Sequence, residues 1–327
     1  MHGIKRREWT KELLRQKRLK DAQKIARYRT LTRVILDKRD NDDYDTEVLA
    51  QTTELLQLNP EFNAIWNYRR DIMGAIKDQL TLKFWDEELL LTMMLLKGYP
   101  KVYWIWNHRL WCLENYPSSD ARKWQTELLM VGKVLDKDAR NFHGWHYRRI
   151  VIQNLEKVTG QSLNTEQFDF TTKKVNENIS NFSAWHQRAT LIPEMIEQGQ
   201  IREPIQFINQ EFQYIINAIF TDAEDQSVWF YIKWFITNNC TVSQLDSNEY
   251  ARLLQELKDA IEAINQDELE FLGKDNTWCL KLLVVIEKIQ IEKLKISVNP
   301  RAVEYMKRLC EADPLRKNRY LAISENN

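Results

Sequence analysis

Glycine and proline are scarce in this chain of 327 residues, with 8 and 7 copies. Helix interiors exclude both, so their scarcity favours helices. Net charge is missing too, since 47 basic side chains balance 47 acidic ones. Such a chain lacks the positive excess on which general nucleic-acid binding relies, and no nucleic-acid partner is expected. Long apolar runs are absent. The longest, LLLTMMLL at 89–96, is too short to span a bilayer. The opening MHGIKRREWTKELLRQKRLK has no apolar core segment, and the ending SENN carries no lipidation signal. Neither a signal peptide nor an integral membrane contact is therefore expected. Cys112, Cys240, Cys279 and Cys310 are scattered without a C-x-x-C pair, and read as reduced thiols of a cytoplasmic protein.

Motifs of self-contained catalysis are also missing. There is no G-x-x-x-x-G-K-[ST], no G-x-G-x-x-G and no H-E-x-x-H. His143 and His146 sit three apart but lack a third ligand nearby, and His108 in NHR reads as a core or surface residue. No complete metal site is expected in this chain. If it is part of an enzyme, the metal or the nucleophile comes from elsewhere.

What the chain has in excess is tryptophan, with 12 copies. Five of them head similar segments: PEFNAIWNYRRD, YPKVYWIWNHRL, ARNFHGWHYRRI, ISNFSAWHQRAT and AEDQSVWFYIKW. Their tryptophans are Trp66, Trp106, Trp145, Trp185 and Trp229, spaced 40, 39, 40 and 44 residues apart. A period near 40 signals an array of helical units. Trp278 reads as a sixth, degenerate copy. Each repeat divides into two helices. Between the second and third tryptophans, one is expected over about 102–115 and the next over about 120–135. In the latter, Trp124, Leu128, Leu129 and Val131 fall near helical spacing. Asn141, Asn181 and Asp225, four residues before their tryptophans, are candidate N-caps. The expected fold is all-α, an α-α superhelix of about six to seven stacked hairpins forming a crescent. It would occupy residues 47–327, after a basic helical segment at 1–37 and a charged linker at 38–46.

Some positions repeat and others change. Three residues after the tryptophan stand Arg69, Arg109, Arg148 and Arg188, with Ile232 in the fifth copy. That spacing puts Trp and Arg on one helix face. The guanidinium can stack on the indole or pair with a carboxylate next door. Repetition in nearly every copy argues for an architectural role. Five residues before the tryptophan come Glu61, Lys101, Arg140, Ser180 and Glu224; three before come Asn63, Tyr103, Phe142, Phe182 and Gln226. The middle of the array thus combines cations and aromatics at helix starts. A cation there opposes the helix dipole, and an anion relieves the conflict. The pattern suggests a site for a phosphate attached to something apolar.

The repeated N-[YF]-x-x-W-x-x-R pattern resembles that of the α subunits of protein prenyltransferases, and DPLRKNRY at 313–320 resembles their C-terminal helix. Met1-His2-Gly3 with its basic helix, and Arg140 in RNFHGW, resemble the type II or Rab geranylgeranyltransferase branch. The shared farnesyltransferase and type I α subunit, with KNYHAW at the latter place, is the alternative. A protein-binding scaffold of tetratricopeptide type is another, disfavoured by the period. The resemblance implies an obligate heterodimer with a β subunit that binds zinc, with magnesium as a second ion. It implies geranylgeranyl diphosphate as donor and Rab GTPases as substrates, presented by an escort protein. It maps the lysine that meets the leaving diphosphate onto Lys101, followed by Tyr103. The comparison of copies adds Arg140 as a further cation, and Phe142, His143 and Phe182 are candidate binding residues. His2 is a candidate contact to the partner's zinc. The role of the basic helix stays open between a solvated helix, partner docking and a membrane surface.

Overall fold

The computed structural model describes residues 10–118, 120–295 and 300–325. Among them are sixteen α-helices and two short 3-10 turns, with no strand. The chain divides into two compact units, residues 1–136 with 141–159, and residues 137–140 with 160–327.

The first unit opens with a long helix, α1 (Lys11–Asp40). Three hairpins follow, α2 (Thr46–Leu58) with α3 (Asn63–Ala75), α4 (Leu82–Gly98) with α5 (Tyr103–Glu114), and α6 (Ala121–Lys137) with α7 (Phe142–Thr159). The second unit continues with α8 (Asn164–Glu177) and α9 (Phe182–Glu197), then α10 (Pro204–Thr221) and α11 (Gln226–Thr237). A single turn, α12 (Asn239–Val242), leads to α13 (Ser247–Leu272) with α14 (Thr277–Glu292), and to α15 (Pro300–Ala312) with α16 (Lys317–Glu325).

One sequence boundary falls differently. The segment 38–46 is not all linker, because α1 runs on through Lys38 and Arg39 to Asp40. No glycine or proline stops it, and it ends where Asp42 takes a positive φ of 54°. Within residues 10–37, Ile35 is fully buried and Asn59 donates to the Tyr28 hydroxyl at 2.8 Å. In α6, Leu129 is 70% exposed. The buried stripe is Trp124, Glu127, Val131 and Leu135, at spacings of three and four.

Each repeat tryptophan is the fourth residue of its helix, in α3, α5, α7, α9 and α11, and is buried. Trp278 differs. It is the second residue of α14, half-buried, with its ring edge on Phe230 at 5.5 Å. The N-caps fall where the asparagines and aspartate are: Asn181 accepts from Ala184, Asp225 from Ser227, and Asn141 from Gly144.

Candidate functional site

Buried ion pairs join one hairpin to the next. Arg69 in α3 donates through Nη1 to Thr52 and to the Leu49 carbonyl in α2, both at 2.7 Å. Its other edge grips Glu88 in α4, at 2.7 and 2.5 Å. The next copy repeats this. Arg109 in α5 donates to Thr92 in α4 and holds Glu127 in α6 at 2.5 and 2.8 Å. In the second unit Arg188 in α9 donates to Thr172 in α8 and holds Glu211 in α10 at 2.6 and 2.5 Å. A ring from the following helix completes each cluster. His108 Nε2 donates to Glu88 at 2.7 Å, the Tyr147 hydroxyl to Glu127 at 2.8 Å, and the Tyr231 hydroxyl to Glu211 at 2.6 Å. These rings meet the tryptophans, with centroids 4.7 Å apart for Trp66–His108, 4.9 Å for Trp106–Tyr147 and 4.7 Å for Trp185–Tyr231. Of the two roles open to the arginine, these three copies take carboxylate pairing, and the indole packs on the next copy's ring.

Charge settles these clusters. Burial alone would pull the Arg109 and Arg188 pKa values down, but Glu127 and Glu211 raise them above the ordinary value. Burial would raise Glu88, yet Arg69 holds it well below the carboxylate range. Arg148 differs. Burial lowers it to about 10, with only partial opposition from Asp136, which lies at the surface. In the fifth copy Ile232 is fully buried, and a Lys258–Glu287 pair with its helices exchanged appears one hairpin later. Sequence reasoning missed the carboxylates. Their signal was Trp85-x-x-Glu88 repeated as Trp124-x-x-Glu127.

The same tryptophans shape an exposed rim. The indole N–H of Trp66, Trp106, Trp185 and Trp229 donates to the carbonyl six residues earlier, at 2.8–2.9 Å. That bond ties down the turn that leads into the helix. In the second copy the carbonyl belongs to Pro100, which also accepts from Asn141 at 3.0 Å. Lys101 follows at once and is exposed. Tyr103 opens α5, 48% exposed, with its ring 6.1 Å from His143, and Phe142 lies 4.0 Å from the same imidazole. Burial lowers the His143 pKa, and the His146 and Lys101 charges add to this. The group brought together is Lys101, Tyr103, Phe142 and His143, all in the first unit.

The helix starts are not alike. Asn141, Asn181 and Asp225 cap α7, α9 and α11, but Val102 gives α5 no side-chain cap. Its first amides stay open to an anion. Of the helices that begin with a tryptophan repeat, α5 combines open amides, a cation and an exposed aromatic. In the second unit Arg140 is exposed, its amide donating to Asp138 at 3.3 Å. Phe182 is 55% exposed and lines an apolar cleft of about 560 Å³ with Trp185, Phe230 and Trp234. His2 lies outside the described residues.

Glu88, His108 and Cys112 bring three potential metal donors within 4.8 Å of one another. They do not fit an ion. Ligands at roughly 2.0–2.2 Å around a tetrahedral metal stand about 3.3 Å apart. His108 Nε2 and the Glu88 oxygen are 2.7 Å apart, a hydrogen bond, and Arg69 occupies both carboxylate oxygens. Burial pushes the Cys112 thiol well above its usual range, so it is no ready ligand. His108 is a core residue that stands where the third and fifth copies carry tyrosine.

The sequence profile of the protein prenyltransferase alpha subunit repeat matches this chain five times, at residues 45–76, 85–116, 124–155, 165–195 and 208–239. The chain is 56% identical over 327 residues to the geranylgeranyl transferase type-2 subunit alpha of Saccharomyces cerevisiae, covering the whole of both. The chain belongs to the protein prenyltransferase α-subunit family. The Candida albicans type-2 subunit alpha is 37% identical, over 98% of this chain and 96% of that protein. The fold is also similar to a chain in the structure of Candida albicans protein geranylgeranyltransferase-I complexed with GGPP. That match has a TM-score of 0.63 at 18% identity, over 90% of this chain and 88% of the other. As a prenyltransferase α subunit, the chain builds its repeats from the Trp, Arg and Glu seam described above.

Proposed function

We infer that this chain is the α subunit of a type-2 geranylgeranyl transferase, active only when joined to a β subunit. The observation that carries the site is the start of α5, where open amides, Lys101 and Tyr103 stand together. The donor is geranylgeranyl diphosphate, and the acceptors are C-terminal cysteines of Rab GTPases presented by an escort protein. As the sulfur–C1 bond forms and the C1–oxygen bond breaks, negative charge builds on the departing diphosphate. In this reading Lys101 stabilises that charge, and the uncapped N-terminus of α5 adds to it. A zinc ion held by the partner would keep the acceptor cysteine as thiolate, and magnesium would offset diphosphate charge. Arg140 acts as a supporting cation. Tyr103, Phe142, Phe182 and Phe230 are large apolar groups left 48–64% exposed, which suits cover by a partner or substrate.

Reconstitution tests this reading. The chain purified with its cognate β subunit should transfer geranylgeranyl to Rab cysteines when escort protein is added, and the chain alone should transfer none. Failure to form a stable complex with that subunit would refute it.

A further inference from the structure

Helix α1 has two halves of different character. From Tyr28 onward it is anchored on the first hairpin through Tyr28–Asn59, Ile35 and the neighbouring Arg27–Glu54 pair. From Lys11 to Arg27 every residue is exposed. These seventeen residues form an arm about 25 Å long at 1.5 Å per residue. Isolated helices below about 12–15 residues are marginal in water even when rich in alanine, and this arm is only slightly longer. The Glu12–Arg15 pair within it is solvent-exposed and adds little. The arm carries Lys11, Arg15, Lys17, Arg18, Lys20, Lys24 and Arg27 against only Glu12 and Asp21. In a chain of zero formal charge, five positive charges in excess are concentrated here.

Their arrangement narrows what the arm fits. Lys17, Lys20, Lys24 and Arg27, at spacings of three and four, make one basic stripe. Lys11, Arg15 and Arg18 make a second on the opposite face. Leu14 and Ile25 lie on one flank, Leu19 on the other and Leu13 within the first stripe, 39–56% exposed. A bilayer is planar and meets one face of a helix, and binding in its interface needs a continuous apolar side. This arm has none. Cations on two faces, with aliphatic side chains between, suit a concave acidic protein surface that encloses the helix.

We propose that the arm Lys11–Arg27 docks in an acidic groove of the β subunit, extending the heterodimer interface beyond the repeat hairpins. This rests on the heterodimer inferred above.

The test uses the full chain with its cognate β subunit. In the complex, amide hydrogen exchange across residues 11–27 should be slowed relative to the free chain. Two charge reversals probe the two faces, Lys17→Glu/Lys20→Glu/Lys24→Glu and Lys11→Glu/Arg15→Glu/Arg18→Glu. Each should weaken the complex at least tenfold at about 0.1 M salt, with the difference shrinking near 1 M as charges are screened. All these side chains are exposed, so neither variant should unfold the repeats. A chain beginning at Tyr28 should bind as weakly as either. Unchanged affinity in all three variants, or no slowing of exchange, overturns the proposal. An effect from one face only overturns the enclosing groove. Arm-dependent sedimentation with phosphatidylserine vesicles, alongside unchanged β affinity, would replace the groove by a membrane. If the wild-type chain binds no β subunit, the heterodimer reading fails and the arm proposal falls with it.

Discussion

The second helix of each repeat presents two faces that obey different rules. On the inner face, Trp, Arg and a hydrogen-bonding ring recur because each joins two hairpins. Arg109 touches Thr92 in the helix before and Glu127 in the helix after. At the outer end, the residues five and three places before the tryptophan change from copy to copy, through Glu61, Lys101, Arg140, Ser180 and Glu224. The seam repeats at Arg69, Arg109 and Arg188 because their junctions pose the same packing problem. The rim varies because its side chains are mostly exposed and packing does not hold them alike. The two are linked, since the indole of Trp106 fixes the carbonyl of Pro100 and with it the backbone just before Lys101.

The contrast is broken most severely at the seam. Glu127→Leu leaves the Arg109 guanidinium buried beside an aliphatic side chain, and should cost about 3–5 kcal/mol. Urea unfolding should show it, and Arg109→Met/Glu127→Leu together should restore much of the loss. At the rim, Phe142→Ala should stay within about 0.5 kcal/mol, because the ring is 64% exposed. Comparable losses at both places would erase the distinction.

Lys101→Ala should behave in the opposite way. The melting temperature should hold, while the single-turnover transfer rate of the heterodimer falls roughly ten- to a thousandfold. Lys101→Arg should recover only part, since a planar fork does not replace a point charge. A wild-type rate for Lys101→Ala would make the lysine surface decoration.

Within the seam, Arg148→Met should cost less than Arg109→Met, about 1 kcal/mol against about 3, because burial already disfavours the Arg148 charge whereas Glu127 supports that of Arg109. Equal losses would show that Arg148 relies on its charge as Arg109 does.

The smallest effect concerns His108. Burial lowers its pKa, outweighing the pull of Glu88 towards the charged form. The unfolded imidazole therefore binds a proton that the folded one refuses. Its contribution is complete above the ordinary value near 6.5 and is lost as pH falls below it. His108→Tyr, which copies the Tyr147–Glu127 arrangement, should flatten the loss of stability as pH falls below about 6.5. Glu88, held low by Arg69, is lost only at more acid pH, so the two titrations separate. An unchanged slope in His108→Tyr would remove the histidine from the account.

Much was legible in the chain before any coordinates. The tryptophan period, the scarcity of helix breakers and the caps at Asn141, Asn181 and Asp225 specify helical hairpins, because those signals act within a few residues along the backbone. Lys101 stood out because its copy differed from its neighbours in charge. The carboxylate partners were not legible, because Glu88 and Glu127 meet their arginines across 19 and 18 residues and only packing selects them. Sequence also could not tell that Leu129 faces water or that α1 continues to Asp40. Local propensity sets where helices form. Which side chains are enclosed, paired or left open depends on which neighbour the fold brings against them, and that is decided only when the hairpins pack.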